Sequence, residues 1–188
     1  MSTTIDGVSV SSRTDTVTIG YRIDQEDRVV WTSDSWSSFA NANGWPDSDV
    51  LGTSLWDAVA GAETSLIWHE LVARVRKGVA INVPFRCDSP GARRYLELMV
   101  SPGAVGEIEF RSRTTEIVER DPIALMSASY ADDEAIRCCS WCKRFDARGW
   151  VEVEEAVQRL GLLEHEARPV THAMCPECEV SVRGTEGL

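Results

Sequence analysis

Apolar and polar residues intermix in the β-type runs "VTIGYRID" (17–24) and "RVVWTSD" (28–34), which predict two strands. The polar stretch between them predicts a hairpin. "DSWSSFANANG" follows, with Asp34 or Ser35 placed to cap a helix and Gly44 placed to stop it. "SDVLGTSLWDAVAG" predicts short helical pieces broken at Gly52 and Gly61. The strongest helical signal is "ETSLIWHELVARVRKG" (63–78). Its Ile67, Trp68, Leu71, Val72 and Val75 recur at the spacing of one buried face. Three β-type runs come next, "AINVPFRC", "RRYLELMVS" and "EIEFRSRTTEIV", with Pro90-Gly91 and Pro102-Gly103 supplying the turns. The expected fold is α+β: a five-stranded antiparallel sheet with helices on one face.

The pattern then weakens. Residues 1–16 are rich in Ser, Thr and Asp and read as a flexible lead-in, and 118–135 read as a linker. Beyond it, "WVEVEEAVQRLGLL" sets Val153, Ala156, Val157 and Leu160 on one helical face, with Gly161 as the stop. One such helix in ~45 residues buries too little apolar surface to fold securely, so a staple is expected.

The cysteines supply a candidate. Of six, Cys139 and Cys142 form one C-x₂-C and Cys175 and Cys178 another. Each turn can aim two thiolates at one ion, and two turns complete a tetrahedral Cys₄ shell suited to structural Zn²⁺. The 136–183 segment therefore reads as a small zinc-stabilised module. Cys138 is expected to be a spectator and His172 to lie beside the site or at the surface. A closed four-thiolate shell has no open position, so it implies no catalysis. "CPEC" is also similar to a rubredoxin knuckle, but Lys143 and Glu179 stand where that family carries glycine, which argues against iron electron transfer.

Charge narrows the partners. The net charge is −11, and residues 136–188 carry only −2 of it, so neither part attracts a phosphate backbone and nucleic acid is not expected. The N-terminus lacks the basic and apolar regions of a signal peptide, and no apolar run approaches ~18 residues. A cytoplasmic protein with no membrane partner and reduced thiols is expected. No phosphate loop, paired carboxylates or nucleophile–base pair stands out, so an enzyme is not expected.

In element order and length, residues 17–117 resemble a PAS domain. "YRID…D.VVWTSDSWSSFA", "VLGTSLWDAV" and "FRCDSPGARRYLELMVSP" resemble a bacterial subgroup of that family. The segment "CSWCKRF…GWVEVEEAV…THAMCPEC" resembles the CxxC–CPxC tail beside PAS or receiver domains in bacterial two-component proteins. These resemblances imply a sensory or partner-docking module whose signalling partner is unknown, and a homodimer. They also place any ligand, whose identity is unknown, between sheet and long helix. Trp36, Phe39, Trp56 and Trp68 are the candidate lining, although core filling is the favoured account of them. No cysteine occurs in 1–86, which excludes adduct-forming photosensors of the LOV or photoactive yellow protein type. The candidate haem ligand is His69, but at 100° per residue it falls about 120° from the apolar stripe, toward Arg76. Two alternatives stand beside the docking reading. One is a redox switch in which CxxC oxidation releases zinc, and the other is a haem- or small-ligand-binding sensor. "RCDSPGARR", with Arg86, Asp88, Arg93 and Arg94, is expected to be a salt-bridged turn, and Cys87 a small buried hydrophobe.

Overall fold

A computed structural model describes residues 18–42, 50–122, 135–161 and 169–184. The lead-in over 1–16, the stop at Gly44 and most of the 118–135 linker lie outside the described residues. The chain begins with strands β1 (Thr18–Ile23) and β2 (Val29–Thr32), then helix α1 (Ser35–Ala42). A 3-10 turn (Leu55–Ala58), helix α2 (Ala62–Arg76) and strands β3 (Ile81–Arg86), β4 (Ala92–Pro102) and β5 (Ile108–Glu119) follow.

These strands form one antiparallel sheet in the order β2-β1-β5-β4-β3. The β1–β2 hairpin closes because the Asp24 carboxylate accepts the backbone N–H groups of Glu26 and Arg28, while Asp27 takes a left-handed φ of 59°. Alternation then sorts the faces. Ile81, Val83, Leu98, Val100, Ile108 and Phe110 are buried on the inner face. The outer face is polar, with Arg22 paired to Glu107, Arg111 to Glu109 and Arg113 to Glu97. The described helices of this half therefore pack on the inner face. Helix α2 lays Ile67, Leu71, Val72 and Val75 there, each no more than 4% exposed. At about 1.5–3 kcal/mol per buried side chain, this stripe dominates the attachment of the helix.

The second half builds its own sheet. Strands β6 (Ile136–Cys139), β7 (Phe145–Asp146), β8 (Trp150–Val151) and β9 (Val170–Ala173) pair in the order β8-β7-β6-β9, and β6 and β9 run parallel. Helix α3 (Val153–Leu160) crosses between them and presses Val153, Ala156 and Val157 on Ile136, Cys138 and Phe145. It ends at Gly161, whose φ of 63° makes the left-handed cap. Helix α4 (Pro176–Arg183) closes the described chain.

The two layers share a core. Cys139, Trp141, Met174, Cys175 and Val182 belong to the same apolar cluster as α2 and the inner face of the first sheet. Trp141 is 5% exposed. A partly buried ion network adds to the joint: Arg86, 6% exposed, is paired with Asp88 and donates to both oxygens of Glu152 at 2.8 and 2.9 Å. Arg93 bridges Glu152 and Glu154, and Arg120 lies between Asp88 and Glu154. The salt-bridged turn expected around Asp88 is thus present, with two glutamates from the start of α3 completing it. No helix among the described residues is long and apolar enough to cross a membrane.

Candidate metal centre

Each C-x₂-C sits on a backbone that the fold makes rigid. Cys139 ends β6, and the N–H of Lys143 returns to the Cys139 carbonyl at 3.0 Å, closing the first knuckle. Lys143 takes a φ of 60°, the conformation glycine usually supplies after such a turn. Cys175 is the N-cap of α4, and its sulfur accepts the Cys178 N–H at 3.4 Å, with Pro176 at the first turn. The parallel pairing of β6 with β9 brings the knuckles together, since Cys139 lies opposite Ala173.

The four sulfurs of Cys139, Cys142, Cys175 and Cys178 all lie within 4.8 Å of one another. The Cys142 and Cys175 Sγ atoms are 3.8 Å apart. A tetrahedral ion with bonds of about 2.3 Å needs edges of about 3.8 Å, so the cage has the right size for one metal ion. Hydrogen-bond donors face two of the sulfurs. The Cys175 N–H donates to Cys139 Sγ at 3.4 Å, and the Arg144 Nε–H donates to Cys142 Sγ at 3.3 Å. Hydrogen bonds from the Cys142 and Cys178 side chains, with help from backbone N–H groups, hold the Cys139 thiol well below the ordinary thiol range. The donor Cys178 is correspondingly pushed up. Arg144 is also paired with Glu177, which fixes its guanidinium beside the sulfur.

Cys138 stands apart for a geometric reason. Neighbours on a strand face opposite sides, so Cys139 turns to the shared core while Cys138 packs with Phe145 and Val157. Burial pushes its thiol up to about 12, and it stays protonated at neutral pH. His172 is on β9 and is not one of the four clustered residues.

The aromatic candidates divide. Trp36, Phe39 and Trp68 line a mainly apolar cavity of about 230 Å³ between α1, α2 and the inner sheet, together with Tyr21, Cys87 and Phe110. Tyr21 stacks on Phe110 at 4.5 Å between ring centroids, and burial raises its phenol above the ordinary range. Trp56 does not reach this cavity. Its ring stacks on His69 at 3.6 Å and its N–H donates to Asp27 at 2.9 Å. Trp56 packs against the edge of the core instead, beside the buried Leu55 of the same 3-10 turn. His69, held against that indole, is exposed and does not line the cavity.

Trp141 and Glu152 are the residues that sequence reasoning missed. A tryptophan inside a knuckle is a visible signal, and its burial on β3 explains it. No model of a known protein family matches the chain. A search of curated proteins finds no match either, so the candidate centre stands on its own geometry.

Proposed function

We propose that this chain is a non-enzymatic, cytoplasmic signal-sensing or partner-docking protein, in which a PAS-like sheet domain is joined to a second layer stapled by one structural Zn²⁺. The reading rests on one observation: four thiols form a cage of tetrahedral size within the core that also buries α2. Cys139, Cys142, Cys175 and Cys178 would hold the ion. Four soft sulfur donors suit zinc better than hard cations, which prefer oxygen. The metal would act by stitching, because a filled shell leaves nothing open for substrate. Native mass spectrometry of the purified protein tests this, with one zinc per chain and a dimer expected. A chain that is folded and free of metal would overturn the zinc staple, and a monomer at high micromolar concentration would remove the dimer.

The 3.8 Å between Cys142 and Cys175 favours a second reading, a redox switch. Peroxide could take two electrons from these two thiolates and, with two protons from solvent, give one disulfide and two waters, with zinc released. Zinc that stays stoichiometric through peroxide treatment, with hydrogen exchange in α2 unchanged, would eliminate the switch and leave the staple.

A further inference from the structure

Where the two layers meet, the first knuckle also borders open space. A cleft of about 200 Å³ opens there, with Ser140, Lys143 and His172 on one wall and Val59, Ala60 and Trp68 on the other. Lys143 is held in place. Its left-handed backbone is part of the knuckle, and its Nζ donates to the Ser140 carbonyl at 2.8 Å. An ammonium has three donors, so capacity is left for a ligand. Thr64 is 4% exposed and shares a hydrogen bond with the Ser140 hydroxyl at 2.8 Å, which pins the floor. No aspartate or glutamate is among the described lining residues, although the chain carries a net −11. The adjoining N-terminus of α2 begins at Gly61 without a side-chain cap, and the Glu63 carboxylate of its first turn is taken up by Arg137 and the Met174 N–H. The opposite wall is apolar and aromatic.

We propose that this cleft is a second ligand site, distinct from the metal cage, for a small organic carboxylate. The carboxylate would meet Lys143 and His172, and the body of the ligand would lie on Val59 and Trp68. A charge-assisted bond from a fixed lysine supplies orientation, and burial of the body supplies most of the affinity. Free phosphate fits less well, since a doubly charged ion with four oxygens finds one lysine and an apolar wall. Ser140 and Lys143 also belong to the first knuckle, so occupancy of the cleft and of the cage would be coupled reciprocally. The proposal holds whether or not the cysteines carry zinc.

Calorimetric titration of the full-length protein with benzoate tests it, with acetate and inorganic phosphate as comparison ligands. Saturable one-to-one binding of benzoate is expected at a Kd of about 1 mM or tighter, with acetate and phosphate both weaker. Lys143→Asn keeps a residue that tolerates the left-handed backbone and should weaken benzoate about tenfold or more at unchanged metal content. Ala60→Leu, outside the knuckle, should fill the cleft and abolish binding with the charge intact. Trp36→Leu, in the apolar cavity, should leave binding as it was. Absence of benzoate binding overturns the proposal, as does phosphate binding more tightly than benzoate. Loss with Trp36→Leu alone would move the ligand to the apolar cavity and overturn it too.

Discussion

Trp141 donates its indole N–H to the carbonyl oxygen of Pro84 at 2.7 Å, and the Arg86 N–H donates to the Trp141 carbonyl at 2.8 Å. Strand β3 would otherwise be an open sheet edge, and the first knuckle covers it. Trp141→Ala should therefore destabilise both layers together, by about 3–5 kcal/mol, as for other buried aromatic truncations. Trp141→Phe keeps most of the packing but strands the Pro84 carbonyl, for a cost of about 1–3 kcal/mol. Denaturant melts followed by hydrogen exchange in β3 and β6 would check this. If β6 alone loosens, the two layers do not share a core.

Metal removal should follow the same cooperative route. Replacing Cys139, Cys142, Cys175 or Cys178 with serine should abolish stoichiometric metal, and a chelator should lower the Tm of the unaltered chain in one transition. Structural zinc in small modules contributes about 10–16 kcal/mol of apparent binding energy, far more than the short β6–β9 sheet can replace. Cys138→Ala should keep a full complement of metal, because that thiol faces the other cluster. Metal analysis of the five variants decides the ligand set. Metal retained in Cys142→Ser would shift the assignment to Cys138 or His172.

Gly61 is constrained twice. Its φ is 88°, and a β-carbon there would lie 2.6 Å from the His172 carbonyl oxygen. Gly61→Ala should cost at least about 1–3 kcal/mol from backbone strain alone. The clash adds to it by pushing β9 off the start of α2. Thermal unfolding of this variant beside Gly78→Ala, whose φ of 92° is similar but whose β-carbon meets nothing within 4 Å, separates strain from clash. Equal losses in the two would remove the contact from the account.

Acid should loosen the joint at Glu154. Burial opposes its ionisation, yet its own backbone N–H at the start of α3, together with Arg93 and Arg120, holds the carboxyl below the ordinary carboxylate range. A carboxyl depressed in the folded state adds stability above its unfolded value of about 4.3, and that stability is lost as pH falls through the folded value. Melts between neutral pH and about pH 3 should show Glu154→Gln less stable at neutral pH and less sensitive to acid. A parallel acid limb in the variant would assign the acid response to other groups.

Much of the first layer was legible because its patterns are long. Five apolar positions over nine residues placed the buried face of α2, and alternation over β3, β4 and β5 gave strands whose Pro-Gly turns were in plain view. Pairwise C-x₂-C spacing identified the four thiols that the fold gathers. What was hidden was short or distant. Strands β7 and β8 have two residues each, too few to show a period. Cys175-Pro176 carried a helix-start signal, a Pro at the first turn, that its role as a knuckle obscured. The Arg86–Glu152 pair joins residues 66 apart in sequence, and no local pattern announces such a contact.

The parallel pairing of β6 with β9 also sets an order in time. Cys175 follows Cys139 by 36 residues. At roughly 5–20 residues per second, a ribosome would deliver the second knuckle about 2–7 s after the first. During that interval the nascent chain carries two thiols of a four-thiol cage, and β6 has no parallel neighbour. Trp141, though, already has its place on β3 to fill. The tryptophan between the first two cysteines would hold half a cage open until the other half is made.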